Sequence, residues 1–447
     1  MSRRCACRHV RRGRCGACGL RGVCSVCDVC GICGVCGECR RDRTHPGLWA
    51  LAITAFAIGV AEFIVVGVLP AIADEFGVPL ARAGSLVGLY ALALAIGTPL
   101  VVLVLARLPR KPVLLASVTV FLAGNLLSAL SDGYAMLLAG RIVTAVAHGS
   151  FFAIGATVAA RLVPDGQASR AIALMFGGLT LAMVIGVPLG SLVGNGLGWR
   201  LPFFAVVLLA ALGWLAIARW VPALPAQAAG RARTQLAALA QPGILAMMSI
   251  TALGFGASFT AFTFVTPILT DVAGFPTRTA NLLLVVFGAA TLAGNLAGGR
   301  WAARLGWPLA LRRMSLGLLL VLVAIALLMP YRAPMAILLF VWGLLAFGMS
   351  PGFQAGMLAT AERWAPRAID FASALNISAF NLGITLGETL GSALVARDLM
   401  AMTPWAGAGL ALAAQWPLAW LAHRMSGGRS ADACALNVRP RSGPVPK

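Results

Sequence analysis

The chain has 447 residues, of which 60% are hydrophobic and only 11% are charged, and its mean hydropathy is +0.89. This small number of polar side chains cannot cover the surface of a fold of this size in water. The composition therefore excludes an ordinary soluble domain and predicts a bilayer-embedded protein. The formal net charge of +21 comes mostly from basic residues between apolar segments. This placement favours a role in membrane orientation over nucleic-acid binding.

The first 47 residues are rich in cysteine, glycine and arginine and lack an apolar core, so we predict no cleavable signal peptide. Ten of the eleven cysteines lie here, and the other is Cys434. From Cys24 to Cys39 a cysteine recurs at every third position, without the longer intervening chain that a zinc site needs. We therefore predict no metal site. The weak candidates for metal ligands are Cys15, Cys18, Cys24 and Cys27.

This tripeptide register has the form of a translated nine-nucleotide repeat, because Arg21 occupies a cysteine position and Cys and Arg codons can differ by one base. The following helix begins naturally near Leu48. We therefore expect residues 1–47 to be disordered or to precede the true start site. Adventitious metal binding by real cysteines is the alternative.

Twelve apolar segments follow, each about 20 residues long and thus able to cross a bilayer as a helix. The first six are 48–72, 84–106, 112–130, 135–160, 171–194 and 201–221, and the second six are 243–268, 281–303, 309–330, 335–359, 371–395 and 405–422. We predict a bundle at 48–222, a central loop at 223–242, a second bundle at 243–422 and a basic tail at 423–447.

Basic residues are distributed unevenly between the two ends of these helices. Five lie in loops at one end, together with five carboxylates, and Arg141 lies inside a helix; the other 29 of the 35 lie at the opposite end. The five basic residues are Arg82, Arg200, Arg278, Arg332 and Arg397, and the carboxylates are Asp74, Glu75, Asp132, Asp271 and Asp398. The positive-inside bias therefore places both termini in the cytoplasm.

The two sets of six helices match each other in sequence. At an offset of 197, Pro70, Asp74, Gly77, Pro79 and Arg107 align with Pro267, Asp271, Gly274, Pro276 and Arg304. At an offset of 201, "LAMVIGVPLGS" (181–191) aligns with "LGITLGETLGS" (382–392). Corresponding positions keep the same membrane side, so the repeat is parallel. Two parallel six-helix repeats are the arrangement in which a central site lies between two rocking halves.

Four stretches carry a family resemblance: "AEFIVVGVLPAIADEFGV" (61–78), "RIVTAVAHGSFFAIGATVAARLVP" (141–164), "LMFGGLTLAMVIGVPLGSLVG" (174–194) and "ASALNISAFNLGITLGETLGS" (372–392). With the six-plus-six plan, they resemble the major facilitator superfamily over residues 48–422. Within it they resemble the twelve-span drug:H+ antiporters, in the branch of arabinose-efflux-permease-like and chloramphenicol-resistance-like exporters. The resemblance implies an all-α membrane fold of two parallel six-helix repeats.

The loop after the second span departs from the family signature Gly-x-Leu-Ala-Asp-Arg-x-Gly-Arg-Arg. It keeps Arg107, Arg110 and Lys111, but Ala106 stands at the aspartate position. The second copy keeps Arg304, again with Ala303 in place of aspartate. The aspartate-based latch between the halves is therefore in doubt. The basic residues are predicted to dock on helix C-termini or simply to set topology.

The fifth span carries the antiporter signature as "GVPLGS", according to the resemblance. Gly178, Gly186 and Gly190 share one smooth face, and Pro188 removes a backbone hydrogen bond. The resemblance implies a gating role for this face at the interface of the halves. Ordinary small-residue helix packing is the alternative.

Very few titratable groups lie within the apolar segments, and each is costly there unless it faces a cavity or a partner. Glu62 lies near the middle of the first span; Arg141 and His148 share one face of the fourth. Low dielectric favours a neutral carboxyl and a nearby cation favours an ionised one, so Glu62 can exchange a proton. We predict that protonation of Glu62 releases it from Arg141, with His148 as modulator. A static pair and a packed histidine are the alternatives.

Glu388 of the eleventh span occupies the repeat position of Val187, where an apolar residue is expected. It is a candidate for proton coupling or for contact with a cationic substrate, and snorkelling or pairing between the halves are the alternatives. By analogy, spans one, four, seven and ten line the cavity. The candidate cavity residues are Phe63, Phe151, Phe255, Phe259, Phe262 and Gln354, with Asn376 and Asn381 from the eleventh span.

No phosphate loop, hydrolase triad or cofactor motif is present in the sequence, so we predict no enzyme and no cofactor. The sequence predicts a monomeric, proton-driven exporter of small molecules such as drugs or sugars in the bacterial inner membrane. A facilitator or uptake carrier of the same fold is one alternative. A metal-binding membrane sensor built on the cysteine-rich segment is another.

Mass spectrometry of the purified chain tests the expectation for the N-terminus. If the start site lies near Leu48, the intact mass and the first peptide will lack the cysteine repeat. Recovery of peptides from residues 1–40 would instead show that the cysteines belong to the protein.

Overall fold

The computed structural model describes residues 44–436, apart from 79, 106, 165, 187–188, 190–192, 195 and 225–231. The four candidate metal-ligating cysteines, Ala106, Pro188 and Gly190 therefore lie outside the described residues. The described chain is built from α-helices joined by short turns.

The first repeat contributes six helices. They are α1 (Pro46–Phe76), α2 (Leu80–Leu105), α3 (Arg110–Ala129), α4 (Tyr134–Arg161), α5 (Ala168–Leu181) and α6 (Arg200–Trp220). A π-helical turn, Ala182–Gly186, continues α5. The central loop forms a single turn of helix at Ala232–Leu236 and a 3₁₀ turn at Ala237–Ala240.

The second repeat contributes six further helices, two of them in two pieces. They are α7 (Pro242–Phe262), α8 (Thr277–Leu305), α9 (Trp307–Leu328), α10 (Arg332–Gly348 and Ser350–Trp364), α11 (Ile369–Val395) and α12 (Thr403–Ala413 and Gln415–Leu436). A short helix, Val265–Pro267, and a π-helical turn, Ile268–Val272, follow α7.

Eleven helices among the described residues are long and apolar enough to cross a membrane. The twelfth predicted segment, 405–422, falls in α12, whose two pieces meet at Ala414 in right-handed helical conformation (φ −64°, ψ −23°), as the two pieces of α10 meet at Met349. The first piece of α12 packs on α7 and α9 of the second half. The all-helical architecture predicted from the apolar periodicity is confirmed.

Local sequence sets where several helices begin and end. Pro242 and Pro404 stand at the first turn of α7 and α12, where a missing N–H is tolerated. Gly77 and Gly274, partners in the predicted repeat, both have positive φ, at 60° and 69°. Each ends the helical path of the first span of its half, because glycine adopts this conformation without steric cost. The shared turn supports the internal repeat.

The helices of the two halves meet along α5 with α8 and along α2 and α4 with α11. The most enclosed span is α4, with 83% of its apolar window buried, whereas only 22% of that of α2 is buried. A central position for α4 matters for function, because Arg141 and His148 both lie on it.

Glycines allow several of these helices to approach closely. A Cβ added at Gly178 of α5 would lie 2.0 Å from the carbonyl oxygen of Ala52 in α1, and one at Gly186 would lie 2.3 Å from Val60 Cγ2. The smooth face predicted in the fifth span therefore packs against α1 of its own half. The contact across to α8 lies beside it, at Gly177. Small residues at such crossings are typical of membrane helices.

We expect Gly178→Ala to destabilise the folded protein by about 1–3 kcal/mol, because the new methyl group overlaps backbone that cannot move alone. Gly409→Ala in α12 is the matched control, since nothing lies within 4 Å of a Cβ there. Thermal unfolding of the two variants in the same detergent provides the measurement. A Gly178→Ala midpoint equal to that of Gly409→Ala would contradict this packing.

Candidate functional site

Arg141 is a buried cation that joins α4 to α1 and α2. Its side chain is 1% exposed. Nη1 donates to the carbonyl oxygen of Ala61 at 2.6 Å and Nη2 to that of Glu62 at 3.3 Å. The guanidinium carbon lies 4.0 Å from the ring centroid of Tyr90 on α2. Carbonyl dipoles and an aromatic face thus stabilise a charge that would be costly alone in a bilayer.

Glu62 contacts Arg141, as the sequence predicts, but the contacting group is the main-chain carbonyl of Glu62. Both of these hydrogen bonds of the guanidinium end on backbone carbonyls, so they do not hold the carboxylate of Glu62. The Glu62 side chain is half-buried. The half-buried side chain of Glu62 therefore lies near a fixed positive charge.

His148 lies on the same face of α4, about two helical turns after Arg141. Tyr90 links it to the same cluster. A hydrogen bond of 2.9 Å joins Tyr90 Oη and His148 Nδ1, and the imidazole packs 5.0 Å from the ring of Phe152. Sequence reasoning missed Tyr90. The available signal was its position: a tyrosine, one of three in the chain, in the middle of an apolar span.

A second polar cluster lies where α7, α10 and α11 meet. Asn376 Nδ2 donates to Gln354 Oε1, and Thr251 Oγ1 donates to Asn376 Oδ1, both at 2.7 Å. Gln354 Nε2 lies 2.6 Å from Ser373 Oγ, which donates at 2.7 Å to the carbonyl oxygen of Ala153 on α4. All four of these polar side chains are fully buried. Of the predicted cavity residues, Gln354 and Asn376 thus bond across helices, whereas Asn381 Nδ2 bonds to Ile377 of its own helix.

A run of aromatic rings crosses from one half to the other. Consecutive ring centroids are 5.0–6.3 Å apart along Phe152, Phe176, Phe380, Phe255, Phe259 and Phe262. The predicted cavity residues Phe255, Phe259 and Phe262 belong to this run, and Phe151 contacts it through Phe152. Phe63 of α1 is half-buried beside Glu62. These rings form a continuous apolar layer between the two halves.

One end of the bundle, which we call the basic end, carries Arg107, Arg110, Lys111 and Arg304. Arg110 is 2% exposed and forms a 2.9 Å ion pair with Asp370 at the start of α11. Lys111 Nζ donates to the carbonyl oxygen of Ala218, within the same half, whereas Arg107 and Arg304 are exposed. Asp370 supplies the carboxylate that Ala106 does not, and sequence reasoning missed it because it lies 260 residues from Arg110.

Hydrogen bonds between the halves lie on the same side of the bundle as the ion pair. Ser378 Oγ donates to the carbonyl oxygen of Ala95 at 2.6 Å, and Asn295 Nδ2 to that of Ala173 at 2.7 Å. Together with the bond from Ser373, they hold α8 and α11 against α2, α4 and α5. The halves are therefore closed at the basic end.

Glu388 lies near the other end of α11, more than a third exposed, with Oε1 3.5 Å from Thr263 Oγ1. It is not part of the Arg141 cluster. Among the described residues, no group of three or more His, Cys, Asp or Glu side chains could hold a metal ion.

We expect Asp370→Asn to favour opening of the basic end by at least about tenfold, because the buried Arg110 guanidinium loses its 2.9 Å ion pair with the carboxylate on α11. Hydrogen–deuterium exchange should then accelerate at the first turns of α3 and α11. Asp398→Asn, at the exposed far end of α11, is the matched control. Exchange that is the same in both variants would contradict a latch at Arg110 and Asp370, and the double variant Arg110→Asp with Asp370→Arg should restore protection.

Comparisons with known proteins agree with this architecture. The sequence profile described as Major Facilitator Superfamily matches residues 51–388. The chain is 39% identical over 364 residues to the uncharacterized MFS-type transporter YtbD of Bacillus subtilis (strain 168), covering 81% of this chain and 91% of that protein. It is 36% identical over 356 residues to the inner membrane transport protein YdhP of Escherichia coli (strain K12), covering 79% and 89%.

Two solved structures share the fold. The E. coli fucose:proton symporter FucP superimposes with a TM-score of 0.70 at 13% identity, covering 84% of this chain and 98% of that one. The human organic anion transporter MFSD10 (TETRAN) superimposes with a TM-score of 0.66 at 16% identity, covering 83% and 98%. With this helical fold, the chain belongs to the major facilitator superfamily and is a multi-pass membrane transporter.

Proposed function

We propose that this transporter is a proton-coupled exporter that exchanges protons for small molecules such as drugs or sugars. The observation that carries the proposal is the contact of Arg141 with the backbone of Ala61 and Glu62. It holds a permanent positive charge beside a half-buried carboxyl group within the membrane. A proton that binds Glu62 removes its attraction to Arg141, so the two protonation states favour different packings of α1 against α4.

Coupling requires that protonation biases one of two arrangements of the halves. The arrangement described here is closed at the basic end by the Arg110–Asp370 pair and by side-chain bonds to α2, α4 and α5. Opening toward the basic end requires those bonds to break. We propose that Glu62 protonation and substrate binding change the free energy of that opening, with Tyr90 and His148 transmitting the position of Arg141 to α2.

We propose that the basic end faces the cytoplasm of a bacterial inner membrane, with both termini on that side. The uneven distribution of basic residues supports this orientation. The proton gradient would supply the driving force without a cofactor, and one chain would be sufficient, because the candidate site lies within a single pair of repeats.

A carrier of the same fold without proton coupling is the second candidate function. It is distinguished by its response to the gradient, since a facilitator moves substrate only down its own concentration gradient. The sensor alternative predicts stoichiometric zinc or copper on the purified chain, and loss of function when residues 1–40 are deleted. The matching of residues 51–388 to a transporter family favours transport over sensing.

We expect Glu62→Gln to reduce pH-gradient-driven efflux to background in everted vesicles, because the amide cannot bind and release the proton. A compound panel that contains drugs and sugars identifies the substrate on the wild-type protein first. The protein should still insert, since the carbonyl of residue 62 that accepts from Arg141 is unchanged.

Glu362→Gln is the matched control, because that carboxylate is exposed at the basic end. It should transport like the wild type. Retention of proton-coupled efflux by Glu62→Gln would overturn the proposed role of Glu62. Wild-type transport that ignores the pH gradient would instead favour the facilitator.

A further inference from the structure

Four polar side chains follow one another along α11 beyond its contacts with the first half. They are Asn381, Thr385, Glu388 and Ser392, which we call the polar face. Glu388 stands at an apolar position of the repeat, and the Arg141 cluster does not use it. The question is whether this face meets lipid or the space between the halves.

The direction of the polar face follows from two hydrogen bonds. Ser373 reaches Ala153 on α4, and Ser378 reaches Ala95 on α2, so two directions around α11 are known. At about 100° per residue these serines lie about 140° apart around the helix. Each residue of the polar face falls inside that sector; Glu388, for example, is about 60° from the first serine and about 80° from the second. The polar face therefore points between α4 and α2, toward the other half.

The remaining surface of α11 has other neighbours. Leu382, Leu386 and Leu390 lie outside that sector and are 52%, 37% and 37% exposed, as side chains in contact with lipid would be. Gly383 and Gly387 pack against the backbone of α7. The polar face and the three leucines thus lie on different sides of the helix, with the exposed Thr389 at the border between them.

Space opens in front of the polar face. Ser378 is 5% exposed at its contact with α2, whereas Thr385, Glu388 and Ser392 are exposed. Gly88 lies seven residues from Ala95 along α2, and Thr385 lies seven residues from Ser378 along α11. Both are therefore roughly 10 Å beyond the contact of Ser378 with Ala95. Nothing lies within 4 Å of a Cβ built at Gly88. The halves therefore separate from this level toward the end opposite the basic end.

The chemistry around Glu388 suits a positive charge attached to an apolar body. Thr263 lies 3.5 Å from the carboxylate and helps to orient it. Phe259 of α7 packs against α11 beside Glu388, because a Cβ added at Gly387 would lie 2.9 Å from the Cβ of Phe259. The ring centroid of Phe262 lies 5.5 Å from that of Phe259. A carboxylate beside aromatic rings attracts cations both by charge and through the π face. The buried cation Arg141 is already held by carbonyls and Tyr90.

We propose that Glu388 and the polar face form a recognition site for organic cations, molecules with a positive nitrogen or phosphorus and an aromatic body. This inference rests on the proposed function, because it names the substrate class of that exporter. The carboxylate holds the charge, Thr385 and Ser392 offer hydrogen bonds, and the rings of α7 contact the apolar body.

Binding of tetraphenylphosphonium to the purified full chain in nanodiscs tests the proposal without any pH gradient. The wild type should bind this cation more tightly than tetraphenylborate, which has the same shape and the opposite charge. Glu388→Gln should weaken cation binding about tenfold or more, and Glu388→Asp should stay within about threefold of the wild type. Glu362→Gln, at the exposed basic end, is the matched control and should bind as the wild type does.

Three results would overturn the proposal: no binding of the cation by the wild type, a preference for tetraphenylborate, or equal cation binding by Glu388→Gln. If Glu388→Gln does not fold, Thr385→Leu provides the second test, because its bulk fills the space in front of Gly88 and should weaken cation binding similarly. Cation binding is measured without a pH gradient, whereas proton coupling is measured as gradient-driven efflux. Failure of proton coupling and failure of cation recognition are therefore separate outcomes.

Discussion

The buried guanidinium of Arg141 is the constraint on which the first half of the molecule depends. An arginine in the middle of a membrane helix is tolerated only where nearby groups replace its hydration. Here the replacement comes from the backbone of α1 and the ring of Tyr90 on α2, so satisfying one side chain fixes the relation of three helices. Helical carbonyls can accept a second hydrogen bond, so these contacts leave the α1 ladder intact.

The second half relies on hydrogen bonds between neutral groups. Thr251, Asn376, Gln354 and Ser373 satisfy one another in sequence, and the last of them extends the network to Ala153 in the first half. A fully connected network of this kind is stable in low dielectric, whereas a partly satisfied one is costly. The charge is thus satisfied within the first half, and Ser373 joins the amide network of the second half to α4.

Asymmetry between the two ends gives the molecule its functional state. Side chains of α8 and α11 bond to carbonyls of α2, α4 and α5 on the basic side, and the pair of Arg110 and Asp370 completes that closure. Farther along α11 the contacts stop and polar side chains are exposed. Rigid halves with one closed end and one open end form the basis of alternating access.

The sequence by itself determined the class, the helices and their internal repeat, because apolar length and repeated turn residues are local signals that a bilayer enforces strongly. It also selected Glu62, Arg141 and His148, since ionisable residues are rare in spans. Only the tertiary structure decided that Arg141 donates to backbone, that Tyr90 joins it to His148, and that Asp370 is the partner of Arg110. It also placed Gly178 and Gly186 of the fifth span against α1. These contacts join residues far apart in the chain, and their geometry depends on how whole helices pack, which no local pattern encodes.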